Sequence, residues 1–265
     1  MNSDFSISVD DQAIATITWD CEKKSMNVLS FEALETLEKL IDQVINDDQI
    51  IAGIITSGKK DFAAGMDLNV LAQLKQSAGE NPAEGVFNGV MKMHSVLRKI
   101  ELAGMDPKTK KGGKPIVSVL PGTALGIGLE IPLSTHRVFS ANNPKAKIGL
   151  PEILVGLFPG AGGTTRLVRK LGAMAASTYL LEGKTVAPDK ALAAGIIDQV
   201  DDDPVKAARQ WVLNASEADL IKPWDQKGYK IPGGTPYTPN GFMTFVGASA
   251  MTVSYTHLTL PTRLM

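Results

Sequence analysis

A short apolar strand that enters a helix through glycines is the feature that most limits how this chain can fold. Residues 116–120, Ile-Val-Ser-Val-Leu, form an apolar run of strand length. Glycines follow at Gly122, Gly126 and Gly128, and a helical pattern opens at Glu130. An apolar strand of this kind is typical of a parallel sheet that helices cover on both faces. The stretch therefore predicts an α/β protein.

The same order of strand and helix recurs along the chain. Residues 7–19 alternate apolar and polar side chains, as a hairpin does. Ser30 is placed to cap a helix whose apolar residues follow at steps of three and four, and residues 50–55 are another apolar strand. Further elements are a strand at residues 196–200 and helices at residues 159–171, 176–181, 188–194 and 204–218. This repetition again indicates an α/β architecture.

The glycine turn, residues 121–128, predicts a site for an oxygen that gains negative charge. Backbone N–H groups at such a turn lack partners, and the positive end of the following helix strengthens their field. A dinucleotide fingerprint is excluded because residue 131, three positions after Gly128, is Ile131. A phosphate loop is excluded because its complete Gly-x4-Gly-Lys-Ser/Thr pattern is missing from the chain. A tight strand-to-helix connection without a ligand stays the alternative for the turn taken alone.

Composition excludes several other classes of function. With 44% apolar and 21% charged residues among 265, the chain is of ordinary globular type, and its net charge of −1 gives no electrostatic reason to expect nucleic acid or an anionic membrane as partner. The single Cys21 excludes an internal disulfide framework, and three scattered histidines argue against a metal site. The sequence shows no secretory leader and no run of about 18 apolar residues. We therefore expect a cytoplasmic location.

Three motifs in consistent order resemble the signature of the crotonase, or enoyl-CoA hydratase, superfamily. They are Gly-Thr-Ala-Leu-Gly-Ile-Gly-Leu-Glu at residues 122–130, Ile-Gly-Leu-Pro-Glu at residues 148–152, and Gly-Leu-Phe-Pro-Gly-Ala-Gly-Gly-Thr-Thr-Arg-Leu at residues 156–167. The resemblance runs from about residue 7 to about residue 250 and is greatest to the hydratase part of multifunctional fatty-acid oxidation enzymes. It implies a spiral of repeated ββα units instead of one flat doubly wound sheet.

The resemblance assigns the acid–base chemistry to two glutamates. It implies that Glu130 activates the water and that Glu152 donates a proton to C2 of the acyl group. Two carboxylates that share one water resist double ionisation, so they titrate as a pair. Without the resemblance, a helix N-terminal acid and a surface acid would account for them. The interval between them is about two residues longer than in the family, around residues 142–145, and a loop tolerates such an insertion.

The resemblance also implies an oxyanion hole and a set of coenzyme A contacts. The backbone N–H groups of Met66 and Ile127 match the two oxyanion donors. Ile127 departs from the glycine that is usual in the family, and a β-branched residue resists a positive φ and is expected to crowd the thioester. The implied CoA-binding residues are Lys24, Lys60, Ala64, Asp67, Leu68 and Gly126, of which the lysines suit the phosphates. The basic segment at residues 105–114 is expected to be a solvated loop.

The implied activity is hydration of 2-trans-enoyl-CoA to 3-hydroxyacyl-CoA in fatty-acid β-oxidation, with 3,2-enoyl-CoA isomerisation as a secondary activity and no resident cofactor. Both glutamates together disfavour the isomerases and thioester hydrolases of this fold, which often rely on one acid. The alternative is a catalytically impaired assembly module, which Ile127 favours. The expected partners are the acyl-CoA substrate and further subunits, as a homo-oligomeric trimer or in a larger fatty-acid oxidation complex. No basic and aromatic face supports RNA binding.

The resemblance divides the chain into three parts. Residues 1–221 are the predicted hydratase core, which includes a loop at residues 57–67 that is expected to enter another helix. Residues 222–252 are rich in proline and glycine, and they resemble the connector that follows the core in the multifunctional enzymes. Residues 253–265 lose the resemblance. Our hypothesis is that they are a foreign read-through on a truncated gene, with the native sequence ending near residues 250–252.

Overall fold

The computed structural model describes residues 4–67, 81–243 and 246 of the chain. The described strands are β1 (Phe5–Val9), β2 (Ile14–Trp19), β3 (Val28–Leu29), β4 (Ala52–Ser57), β5 (Gly65–Met66), β6 (Ile116–Leu120), β7 (Ala124–Leu125), β8 (Arg137–Ala141), β9 (Ile148–Gly149), β10 (Thr185–Val186) and β11 (Gln199–Asp201). The described helices are α1 (Phe31–Asn46), α2 (Pro82–Leu102), α3 (Ile127–Ser134), α4 (Gly163–Leu171), α5 (Ala173–Leu181), α6 (Pro188–Ala193) and α7 (Pro204–Asn214). Short 3-10 helices lie at Glu152–Val155, Glu217–Leu220 and Pro223–Asp225.

The strands form one large sheet and two small ones. The large sheet has the order β1-β2-β4-β6-β8-β11, in which β1 and β2 are the predicted antiparallel hairpin and all other neighbours are parallel. A large-sheet strand is followed by a two-residue strand of a small sheet and then by a helix, as in β2–β3–α1 and β6–β7–α3. The predicted α/β class and the repeated ββα order are confirmed.

Helix α1 illustrates how the sequence pattern produces this packing. The Ser30 hydroxyl oxygen accepts a hydrogen bond from the Ala33 backbone N–H at 3.1 Å, which satisfies one of the unpaired donors of the first turn. The apolar residues at steps of three and four then fall on one buried face. This face consists of Ala33, Leu34, Leu37, Ile41 and Val44. Both the cap and the core-facing side of α1 were predicted correctly.

Several predicted bounds are displaced for local reasons. The strand predicted at residues 50–55 begins later, because the Ile50 N–H bonds to the Asp47 carbonyl in the turn after α1. The helix predicted at residues 204–218 ends at Asn214, because Ser216 and Asp219 form a capping box that starts a separate 3-10 helix. The helix predicted after Asp67 falls outside the described residues.

The segment that follows residue 221 lies against the rest of the molecule. Lys222 is buried, the 3-10 helix Pro223–Asp225 follows it, and the Tyr229 hydroxyl donates a hydrogen bond to the Arg169 carbonyl. The described part of the predicted connector is therefore attached to the core at several points. The division of the chain at residues 221 and 222 into a core and a connector stays a prediction.

Candidate active site

One cavity collects most of the predicted site residues. Its volume is about 800 Å³. Its walls come from the segment around β5, the glycine turn with the start of α3, and the stretch that begins at the 3-10 helix Glu152–Val155. The predicted residues that line it are Lys24, Ala64, Met66, Asp67, Gly126, Ile127, Glu130 and Glu152. Segments far apart in the sequence thus supply one concave site, which is the usual form of a small-molecule site.

Glycines allow the start of α3 to approach the segment before β5. A Cβ atom at Gly128 would lie only 2.7 Å from the Ala63 Cβ and 3.0 Å from the Ala63 carbonyl oxygen. The same carbonyl accepts the Leu125 N–H at 3.1 Å. The two backbone segments are therefore in direct contact, and Met66 in β5 and Ile127 at the start of α3 lie on the same cavity.

The positive φ that a β-branched residue resists does not occur at Ile127. The positive φ of the glycine turn, +56°, falls on Gly126, whereas Ile127 is the first residue of α3 and has no positive φ. The Ile127 side chain is only 3% exposed and belongs to the main hydrophobic core. Its backbone N–H is in the first helical turn, where amide groups have no acceptor within the helix. The β-branched side chain is therefore compatible with this backbone, and only the expected crowding of a thioester stays a prediction.

Glu130 lies on α3 and is almost fully buried, with 3% exposed. Its Oε1 accepts hydrogen bonds from the backbone N–H groups of Ala161 at 2.9 Å and Gly163 at 2.7 Å. Burial raises the pKa of the Glu130 carboxyl to about 7, and the charge of Glu152 adds to this rise, whereas the two N–H donors and Arg166 oppose it. A side chain at residue 163 would crowd this carboxylate, because a Cβ on Gly163 would lie 2.9 Å from Glu130 Oε1.

Glu152 opens its 3-10 helix and faces the glycine turn. Its Oε1 lies 3.2 Å from the position that a Cβ of Gly126 would occupy. Its Oε2 is buried and has no hydrogen-bond partner in the described part of the chain. Burial raises the pKa of the Glu152 carboxyl. The cavity therefore holds two carboxyl groups that are easier to protonate than ordinary glutamates, which is the pattern of an acid–base site.

The predicted CoA contacts are only partly brought together. Lys24 forms an ion pair with Asp67 at the cavity, and Ala64 beside them is exposed. Lys60 is exposed on the loop between β4 and β5 and is not among the residues that line the cavity. Leu68 lies outside the described residues. The coenzyme A roles of these residues stay predictions.

Sequence reasoning missed the apolar wall of the cavity. Helix α2 contributes Val86, Val90 and Met93, and the stretch after Glu152 contributes Leu154, Val155, Leu157 and Phe158. The second group lies inside or next to a family motif, whereas α2 carries an ordinary helical pattern with no signal for a site. Within the described residues, no group of three potential metal ligands occurs. No described helix is both long enough and apolar enough to span a membrane.

Comparison with known proteins decides the family. The sequence pattern of the family described as Enoyl-CoA hydratase/isomerase matches residues 10–219, which include both glutamates and the glycine turn. This chain belongs to the enoyl-CoA hydratase/isomerase family. Within that family, the Fatty acid oxidation complex subunit alpha of Shewanella oneidensis is 31% identical over 201 residues, or 76% of this chain and 26% of that protein. The corresponding protein of Idiomarina loihiensis is 32% identical over 197 residues, or 74% of this chain and 26% of that protein.

These relatives confirm the predicted resemblance to fatty-acid oxidation enzymes, and the chain spans about a quarter of their length. Solved structures confirm the predicted fold of this enoyl-CoA hydratase/isomerase family member. An enoyl-CoA hydratase from Geobacillus kaustophilus has a TM-score of 0.67 at 25% identity, covering 80% of this chain and 74% of that one. The DspI protein of Pseudomonas aeruginosa has a TM-score of 0.67 at 22% identity, covering 99% of this chain and 93% of that one, and shares the fold. The chain has the crotonase fold.

Replacing Glu130 with glutamine is expected to stabilise the fold above pH 7. The pKa of Glu130 rises from 4.5 to about 7 on folding. Between these values the unfolded chain has released the proton and the folded chain has not, so the wild type loses stability as pH rises, by on the order of 3 kcal/mol in all. Glutamine cannot ionise and removes this loss. Urea unfolding at pH 4.5 and pH 8 measures the effect, and an equal pH dependence in both proteins would contradict it.

Proposed function

We propose that this chain is an enoyl-CoA hydratase, which adds water across the 2,3-double bond of a 2-trans-enoyl-CoA to give a 3-hydroxyacyl-CoA. The observation that carries the proposal is the pairing of a buried carboxyl, Glu130, with a half-buried one, Glu152, both with raised pKa, on one cavity beside the first turn of α3. This reaction requires one group to accept a proton from water and another to protonate carbon, and it needs no resident cofactor.

The proposed mechanism assigns one step to each group. Ionised Glu130 accepts a proton as the water oxygen bonds to C3, and the electrons of the double bond move onto the thioester as an enolate. The backbone N–H groups of Met66 and Ile127 bind the enolate oxygen, since fixed donors at developing charge stabilise the transition state. Protonated Glu152 donates its proton to C2. Transfer of the proton from Glu130 back to Glu152 completes the cycle.

The raised pKa values are consistent with these roles. With a pKa of about 7, Glu130 is partly ionised near neutral pH, as a general base should be. Burial also raises the pKa of Glu152, which favours the protonated form that donates to carbon. Because the two carboxyls titrate as a pair, the rate is expected to be highest where the pair holds one proton and to fall at lower and at higher pH.

The rest of the cavity supports the proposed substrate class. Its apolar wall offers a surface to an acyl chain, and Lys24 at the cavity carries a charge that a CoA phosphate can share with Asp67. Isomerisation of 3-enoyl-CoA is a proposed secondary activity, because the same acid and oxyanion donors would serve a proton shift between carbons. Two residues of the apolar wall are largely exposed, Leu154 at 70% and Phe158 at 72%, and this exposure supports assembly with further subunits. A trimer, membership of a fatty-acid oxidation complex and a cytoplasmic location stay predictions.

The purified chain is expected to hydrate crotonyl-CoA. The conjugated double bond absorbs in the ultraviolet, so hydration appears as a loss of absorbance, and chromatography with mass detection identifies 3-hydroxybutyryl-CoA. A 3-enoyl-CoA assayed in parallel measures the secondary isomerase activity. If crotonyl-CoA stayed unchanged at high protein concentration, the catalytically impaired assembly module would replace the hydratase as the explanation of this fold.

A further inference from the structure

A chain of charged groups begins at the peptide that binds Glu130. Arg166 is only 6% exposed, and its Nη1 donates a hydrogen bond to the Ala161 carbonyl at 3.0 Å. The N–H of the same residue, Ala161, donates to Glu130 Oε1 at 2.9 Å. Arg166 also donates from Nε to Glu101 Oε1 at 2.8 Å. Arg166 therefore fixes the backbone that in turn fixes the Glu130 carboxylate.

The chain of charges continues to the segment after residue 221. Glu101 is 3% exposed, and its second oxygen accepts from Arg98 Nη1 at 2.8 Å. Arg98 in turn donates from both terminal nitrogens to the two oxygens of Asp225, each at 2.8 Å. Such a two-bond pair fixes orientation as well as distance. Positive and negative side chains therefore alternate from Arg166 through Glu101 and Arg98 to Asp225. Asp225 lies outside residues 10–219, the part of the chain that matches the family.

The same short segment also contacts the far end of α3. Lys222 is 8% exposed, and its Nζ donates to the carbonyl of Leu133 at 3.2 Å and to the carbonyl of Thr135. These carbonyls lie at the C-terminal end of α3, where the last turn leaves acceptors unpaired and the helix dipole favours a cation. Lys222 therefore holds the helix that carries Glu130 and begins at Ile127.

We propose that Lys222 and Asp225 are positioning residues for Glu130, Asp225 through the network of Arg98, Glu101 and Arg166, and Lys222 through the end of α3. This inference rests on the proposed function and deepens it. Neither residue is among the described residues that line the cavity, so the proposal gives neither a direct contact with the substrate. A displacement of about 1 Å at a reacting group is enough to cost about 10²-fold in rate, so the support of that group governs turnover.

The burial of the central pair makes the network sensitive to its outer end. Glu101 and Arg166 are both nearly removed from water, and a buried charge needs its partners. Loss of the negative charge at Asp225 leaves Glu101 as the only charged partner of Arg98 in this network, and an asparagine can accept at most one of the two hydrogen bonds from Arg98. Arg98 is then less constrained, and so is the Glu101 carboxylate that orients Arg166. The expected result is a looser peptide at Ala161 and a less well held Glu130.

The test compares Asp225→Asn with Asp10→Asn in the whole chain. Asp10 also pairs with an arginine, Arg209, through one hydrogen bond that joins α7 to the β1–β2 hairpin, and neither residue lines the cavity. We expect Asp225→Asn to lower kcat for crotonyl-CoA about tenfold with KM within about twofold, and to shift the rate profile towards higher pH, because the hydrogen bonds that favour ionised Glu130 weaken. Asp225→Glu should restore most of the rate, and Asp10→Asn should behave as wild type.

Amide hydrogen exchange at Ala161 and Gly163, and the ¹³C titration of the Glu130 carboxyl, test the positioning without turnover. Both should change in Asp225→Asn and stay unchanged in Asp10→Asn. If Asp225→Asn does not fold, Lys222→Met carries the same expectations, because it removes the contact with α3 by an independent route. Unchanged rate profile and exchange in the folded variant would overturn the proposal, as would an equal effect in Asp10→Asn. An inactive wild type would defeat the proposed function alone, since exchange and titration would still decide the positioning.

Discussion

Changing Glu130 or Glu152 to glutamine is expected to lower kcat about 10²–10⁴-fold while KM stays within a few-fold. Glutamine preserves the size and shape of the side chain but cannot exchange a proton. Glu130 accepts its hydrogen bonds through Oε1, and the amide oxygen of glutamine can accept the same bonds from Ala161 and Gly163. The loss therefore reports on proton transfer and not on the local fold. Steady-state hydration of crotonyl-CoA measures it.

A matched control is Glu32→Gln. Glu32 and Glu130 both lie in the first turn of a helix, α1 and α3 respectively, but Glu32 is exposed and Glu130 is buried. This variant should keep wild-type turnover. The double variant of Glu130 and Glu152 should be little worse than the poorer single variant, since groups that act as a unit are not additive. Wild-type turnover in both single variants would show that the two carboxyls are incidental.

Gly128→Ala is expected to lower kcat about 10²–10³-fold, which is the usual cost of losing one oxyanion donor. The new Cβ would lie 2.7 Å from the Ala63 Cβ and 3.0 Å from the Ala63 carbonyl oxygen, so the start of α3 must move away from the segment before β5. The proposed donors Met66 and Ile127 lie on opposite sides of this contact. Alanine favours a helix more than glycine does, so the effect should fall on the rate more than on helix formation.

Gly112→Ala controls for the general effect of adding a methyl group to a glycine. Gly112 has a φ of +81°, and no atom would lie within 4 Å of its added Cβ. Alanine there should cost about 1 kcal/mol of stability through backbone strain but leave kcat unchanged. A Gly128→Ala protein with wild-type kcat and the unfolding profile of the wild type would contradict the proposed oxyanion geometry.

The site was predictable from the sequence wherever it lies within local motifs. The glycine turn and Glu130 lie in one short motif and Glu152 lies in a second, and both motifs contribute residues to one cavity. The hairpin follows from a period of two residues, β6 from a continuous apolar run, and α1 from a capping serine and apolar steps of three and four, all of which the local chain determines. The positive φ at Gly126 instead of Ile127 required the backbone itself.

The charged network was not predictable, for a physical reason. Arg98 and Asp225 lie 127 residues apart, and Arg166 and Glu101 lie 65 apart, so no local pattern connects them. A charged residue in a helix is exposed in most proteins, and nothing near Glu101 in the sequence distinguishes it from a surface acid. The apolar residues that α2 contributes to the cavity were not predictable either, because only the fold decides which side of a helix faces the site.

The central claim is that one site adds water to an enoyl-CoA and that an acid of this site protonates C2. Hydration of crotonyl-CoA in D₂O tests this claim most directly. Mass spectrometry of the product counts and locates the deuterium on carbon. The account predicts 3-hydroxybutyryl-CoA with one deuterium at C2 from the wild type, and little product from Glu152→Gln, which lacks the proton donor. Absence of the hydrated product with the wild type, or labelled product formed at an equal rate by Glu152→Gln, would contradict the account.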